Sequence, residues 1–396
     1  MQQMQILEGD RVMIAAALVM IVGLAIGAVV THMTGLRLGG VIVAPLLAVY
    51  SLYSFVALPM FLISGAIAYC LVGIIRARTL IYGRQLLLTS LVVGAITPIT
   101  AHVIISSWSL GISEMAFFGA VLPGITAYNY HKLEPEDRWS DLALSGGLVA
   151  GLIVFGAAIV NPTVATQLGS GLTSVLFTPG SDIAAFRNAI QGVPSSGGVV
   201  GQIWLIVLLG FGLLISEAAH SRWGVRLGGL VAVPLLATMA LTNAWTVGVY
   251  VIVLSATFTA ITAINRLTLI YGRALLNLGL IVSMMSGILI ASATTTVSGF
   301  TLFFVVLLSG VGAYNFHRVA PAERFESLSL SAGLFASLLV GVRLFIDPTA
   351  DGLLADPSVP EISVIVSVLV LAAYCVWTLE QRRMTVAKHH ARGVSA

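Results

Sequence analysis

Apolar residues run along this chain in blocks of about 20, rather than in the two-residue alternation of half-buried strands. Short breaks rich in Arg, Gly, Pro or Asn separate the blocks and delimit thirteen candidate helices. Six lie near 12–31, 38–53, 55–75, 86–106, 110–127 and 141–160. A linker bearing Gly, Ser and Pro covers 161–200, and the plan repeats near 201–219, 227–243, 245–264, 274–294, 299–314 and 328–346. An acidic loop at 347–361 leads to a thirteenth run at 362–379. Backbone amides in hydrocarbon must be bonded within their own segment, so runs of this length predict helices and not a barrel. The expected fold is an all-α polytopic membrane protein of about 13 transmembrane helices.

Composition agrees. Of the 396 residues, 58% are hydrophobic and 9% charged, far below the charged quarter of a soluble domain; mean hydropathy is +1.03. Cys70 and Cys375 both sit in apolar runs, which argues against a disulfide framework. The first run follows Glu8, Asp10 and Arg11 and lacks the short core and cleavage site of a signal peptide, so it is expected to be a retained span.

Lys and Arg are retained on the cytoplasmic side during insertion, and they test the topology. With the N-terminus outside, sixteen of the nineteen fall inside, including the basic tail after the last span; Arg11, Arg187 and Arg343 are the exceptions. A multi-pass plasma-membrane protein with a cytoplasmic C-terminus is the expectation.

The two halves are copies. "GLRLGGVIVAPLLAV" at 35–49 aligns with "GVRLGGLVAVPLLAT" at 224–238, nine of fifteen positions being identical, and "TLIYGR" stands at both 79–84 and 268–273, each at an offset of 189. "AYNYHKLEPEDR" at 127–138 matches "AYNFHRVAPAER" at 313–324 at six of twelve positions. The expected organisation is a first repeat at 1–160, an extracytoplasmic linker at 161–200, a second repeat at 201–346, the acidic outer loop, and a terminal helix with a basic tail at 362–396. Six spans per copy preserve direction, so these are parallel repeats.

Both hexapeptides fall at the inner turn between third and fourth helices. Tyr82 and Tyr271 are placed there at headgroup depth, beside Arg84 and Arg273. Aromatic belts and basic anchors occupy that layer in any membrane protein; a cationic mouth for an anionic substrate or for anionic membrane lipid is the functional alternative. Gly39, Gly40 and Pro45, with Gly228, Gly229 and Pro234, interrupt the second helix of each copy, either for close packing or to open a polar path. Glu114 is an intramembrane carboxylate and His102 is expected at similar depth; both become apolar in the second copy, as a functional pair would. A carboxylate stabilised in the first turn of a helix is the other reading of Glu114. The turns carrying Asn129, His131 and Arg138, and Asn315, His317 and Arg324, suit either docking of a cytosolic protein or simple solvation. No P-loop, G-x-S-x-G or H-E-x-x-H motif and no metal-binding cluster is present, so ATP chemistry would need another chain.

At "LRLGGVIVAPLLA", "TLIYGR" and "FGAVLPGITAYNYHK" each copy resembles a whole subunit of the PgsC/CapC family, the small membrane component of poly-γ-glutamate synthesis. That family carries a glutamate nine residues ahead of a proline, a spacing kept by Glu114 and Pro123. The resemblance covers nearly the whole chain apart from the linkers and the thirteenth helix. It implies roles for Tyr82, Gly83, Arg84, Glu114, Pro123, Gly124 and Asn129, and for Tyr271, Gly272, Arg273 and Asn315. In the second copy Ser309 replaces the proline and the glutamate is absent. It also implies a Mur-ligase-like partner of the PgsB/CapB type holding ATP and Mg, an export component, and a non-catalytic role for this subunit, which itself carries no cofactor. Different in kind are a secondary transporter of a small anionic solute coupled through Glu114 and His102, and a non-conducting scaffold or sensor.

Overall fold

A computed structural model of the chain describes residues 14–106, 118–162, 175–177, 181–190, 202–229, 231–293 and 299–393. Among them all regular structure is helical. In the first half the helices are α1 (Ile14–Thr34), α2 (Val43–Tyr53), α3 (Ala57–Arg78), α4 (Gly83–Ser106), α5 (Phe118–His131), α6 (Asp137–Ile159) and a short α7 (Asp182–Phe186) inside the linker. In the second half they are α8 (Gln202–Trp223), α9 (Ala232–Thr242), α10 (Trp245–Thr268), α11 (Arg273–Ala293), α12 (Gly299–His317), α13 (Arg324–Arg343) and α14 (Val359–Gly393). Among the described residues eight helices are long and apolar enough to cross a membrane, which makes this an all-α polytopic membrane protein.

The second helix of each copy is the interrupted one of the two readings left open by its Gly-Gly-Pro stretch. Within the apolar runs 38–53 and 227–243, α2 and α9 have 11 residues each. Such a helix is about 16 Å long, roughly half the hydrocarbon thickness. In the first copy the break lies at Leu38, Gly39 and Gly40, with φ of 51°, 64° and 135°. A helix cannot pass through left-handed residues, and only glycine adopts the last two conformations without strain.

The chain divides into two compact units whose borders cut across the repeats. One unit holds 1–196 with 268–307, and the other holds 197–267 with 308–396. The fourth helix of the second copy, α11, therefore belongs with the first copy, where it packs against α1.

In the first unit α3, α4 and α5 pack mutually. Lipid tails are as apolar as leucine, so helices in a membrane associate through close packing rather than through the hydrophobic effect. The α4–α5 crossing shows this: a Cβ on Gly94 would lie 2.2 Å from the Gly124 nitrogen, and one on Gly124 would lie 2.1 Å from the Ser90 carbonyl oxygen. Gly124 is thus a backbone-contact residue, and Pro123 beside it is accommodated inside α5. In a parallel contact, a Cβ on Gly23 of α1 would lie 2.8 Å from the Pro45 ring of α2.

The second unit repeats that contact: a Cβ on Gly212 of α8 would lie 2.4 Å from Pro234 of α9. Its apolar core gathers Leu208, Val233, Leu241, Leu334 and Cys375. The acidic loop after α13 folds back over the end of α9. Leu353 and Thr349 donate backbone N–H groups to the Ala240 and Leu241 carbonyls at 2.8 and 3.1 Å, and the Ala244 N–H donates to Asp351 O at 2.8 Å. Helix-end carbonyls that would otherwise be orphaned are satisfied this way. Arg343, placed outside by the charge count, bonds the Leu354 carbonyl at 3.0 Å and pairs with Asp347 at 2.6 Å.

Replacement of Gly124 by valine is expected to force α4 and α5 apart at a cost of about 2–4 kcal/mol. A lowered unfolding midpoint of the purified protein in detergent checks this, with Gly146→Ala, whose Cβ enters open space, as the neutral control.

Candidate functional site

The loop between α1 and α2 has three consecutive backbone N–H groups that no helix can satisfy, and one carboxylate takes them all. Asp141, one turn into α6, accepts from Arg37 N at 2.7 Å, Leu38 N at 2.6 Å and Gly39 N at 2.9 Å. It is fully buried. Successive N–H groups in such a turn form an anion-binding concavity, and here the anion belongs to the chain itself. The phenol of Tyr130 lies beside Asp141 and Ser145. Asn129 closes the other side of the loop, its Nδ2 donating to the Gly39 and Ile125 carbonyls at 3.0 Å each. Arg273 lies within Coulombic reach of both Arg37 and Asp141. Two guanidiniums around one carboxylate give this group of three a net positive charge.

The second copy builds the same loop without a carboxylate. Ser327, at the position of Asp141, donates to the Arg226 carbonyl at 2.5 Å, and Gly228 N donates to Ser331 Oγ at 2.9 Å. Asn315, matching Asn129, is half-buried.

The turn motifs hold themselves against the third helices. His131 stacks on Tyr69 with ring centroids 4.4 Å apart and planes 9° from parallel, and its Nε2 meets the Tyr69 carbonyl at 2.9 Å, which assigns the proton to that nitrogen. Arg138 donates to the Tyr69 hydroxyl at 3.0 Å, and Arg76 donates to the His131 carbonyl at 3.0 Å. In the second copy Phe258 replaces the tyrosine. His317 packs on its edge and meets Thr262 Oγ1 through Nδ1 at 3.2 Å, while the Arg324 guanidinium lies 5.3 Å from the Phe258 ring centre. All four residues put forward for docking are thus engaged by the third helix of their own copy. What they present outward is the shape of the turn.

The hexapeptides resolve into separate parts. Gly83 and Gly272 have φ of 62° and 68° with open space at Cβ, so glycine serves the left-handed turn that starts the next helix. Tyr82 and Tyr271 are 80% and 81% exposed, as interfacial anchors would be. Arg84 is half-buried at the start of α4. His102 lies on α4 with its side chain outside the described residues, and Glu114 falls outside them altogether. Among the described residues no group of three or more His, Cys, Asp or Glu is placed to hold a metal.

The sequence model of the capsule biosynthesis CapC family matches residues 22–139 and again 211–325, more than half of the chain. The chain belongs to the capsule biosynthesis CapC family. The two CapC segments begin and end at matched positions of the two copies, consistent with a tandem duplication. No curated protein and no solved structure matches the chain. Within the CapC segments lie the loop Arg37–Gly40, both hexapeptides, Asn129 and both turn motifs; Asp141 stands just beyond the first.

Asp141 was not among the residues singled out by sequence. The sixth span was expected to start at 141, which made the aspartate a boundary residue, whereas α6 begins at Asp137 and carries Asp141 inward by one turn. Its loss in the second copy, at Ser327, was the available signal. Tyr69, matched by Phe258, was likewise hidden inside an apolar run.

Asp141→Ala would orphan three N–H groups, two of them buried, and is expected to cost about 3–5 kcal/mol, while Asp141→Asn, which keeps two acceptor lone pairs, should cost less. Thermal unfolding of the two variants in the same detergent gives the ranking.

Proposed function

We propose that this CapC-family chain is the membrane subunit of a complex that makes and exports an anionic polymer, with poly-γ-glutamate as the polymer closest to hand. Its basic helix ends hold an ATP-dependent, Mur-ligase-like enzyme against the membrane. The growing polyanion leaves along a path whose cytoplasmic mouth is lined by Arg84 and Arg273, while ATP and Mg are bound by the ligase. The observation that carries this reading is the family match in both halves of the chain. The grouping of Arg37 and Arg273 at one end of the first unit supports the sign of the charge on the cargo. Guanidiniums in a partly dry setting attract a carboxylate polymer without trapping it, provided that several weak sites share the load.

The side chains described at these ends bond, stack and carry positive charge.

Arg84→Ala combined with Arg273→Ala is expected to abolish surface polymer while leaving the protein in the membrane at its normal level. Immunodetection of the membrane fraction beside a polymer assay of the cell surface checks both halves. Normal export by the double variant would remove these arginines from the path.

A further inference from the structure

The two copies differ in what covers their sixth helix. In the second unit, α14 packs along α13. The face it covers carries Glu326, Ser329, Gly333 and Ala336, all buried, and half-buried Val340. The fit is tight: a Cβ on Gly333 would meet that of Ala372 at 2.3 Å. It is also locked by charge at one end, where Arg382 pairs with Glu326 at 3.0 Å.

Among the described residues the first copy has no helix corresponding to α14. The matched positions on α6 are Ser140, Ala143, Gly147, Ala150 and Val154, and every one of them is exposed. Gly147 has open space at its Cβ, as do Gly146 and Gly151 beside it. A stripe of small residues is how one helix admits another closely in lipid. Here the same five positions do so in the other half of the chain. At the foot of this face Glu134, Glu136 and Asp137 are exposed, where the second copy has Ala320, Ala322 and Glu323. That acidic foot suits a helix that, like α14 with Arg382 and Arg383, turns basic just past its apolar stretch.

We propose that the open face of α6 is the docking site for a single transmembrane helix of another protein, one that presents a small residue at Gly147 and basic residues opposite Glu134, Glu136 and Asp137. In the second copy α14 fills this role from within the chain. The interface would consist of backbone-close packing along the stripe, with the charge pairs at its foot setting direction.

The test uses the full chain in lipid nanodiscs, donor-labelled, with an acceptor-labelled synthetic peptide of residues 359–393 as the probe helix. The expected result is saturable energy transfer at one peptide per chain. Gly147→Leu should weaken it roughly tenfold or more and Gly147→Ala should retain it. The triple change Glu134→Gln, Glu136→Gln, Asp137→Asn should weaken it by a smaller factor. Gly147→Leu points into open space, so its unfolding midpoint should stay at the wild-type value, whereas Gly333→Leu, which collides with α14, should lower it. Absent transfer, or transfer that Gly147→Leu leaves intact as displacement of the resident α14 would, overturns the assignment. Efficient crosslinking between two chains through Val154→Cys would also overturn it, by placing a second copy on this face.

Discussion

A backbone that stops being helical inside a membrane must find partners for its amides within the protein, and this requirement organises both copies. Each has a second helix of only 11 residues preceded by an irregular loop. In the first copy the loop amides converge on Asp141; in the second, Ser331 accepts from one loop amide, that of Gly228, and Ser327 donates to a loop carbonyl, that of Arg226. The far end of α9 has its own answer, the returned strap at 349–353. Neither short helix could persist in hydrocarbon without these bonds, and the loops they hold lie among the motifs that mark the family.

Glycine governs how closely the elements approach. Gly23 and Gly212 admit the proline rings of α2 and α9, so the short helix of each copy is wedged against the first by the same contact. Gly94 and Gly124 bring α4 and α5 to backbone distance. None of these positions concerns chemistry directly. They set where the loops and turns at the basic ends come to rest.

Much of this was legible in the sequence. Hydropathy located the long helices to within a few residues, except that the last continues through the basic tail to Gly393, and the repeat offsets paired Asn129 with Asn315 and His131 with His317. The breaks in α2 and α9 were not legible, because Gly-Gly followed by Pro fits close packing of a continuous helix as well as interruption of one. Asp141 escaped because a carboxylate at the edge of an apolar run reads as a boundary. Its role depends on N–H groups about a hundred positions earlier in the chain. The setting of Arg273 was equally hidden: sequence pairs it with its own copy, whereas α11 packs against α1 of the other. Hydropathy does not say which partner a face takes.

The difference between Asp141 and Ser327 has a consequence for how such an assembly can evolve. When two identical small subunits meet, any substitution appears at both sites at once, and a change that helps one setting must be tolerated in the other. Fusion into one chain removes that coupling. One loop here keeps a buried anion and its counterpart does not, an arrangement that no symmetric pair of identical chains can encode. Such a fused pair also fixes the ratio of the two kinds of loop at one to one, whatever the level of expression.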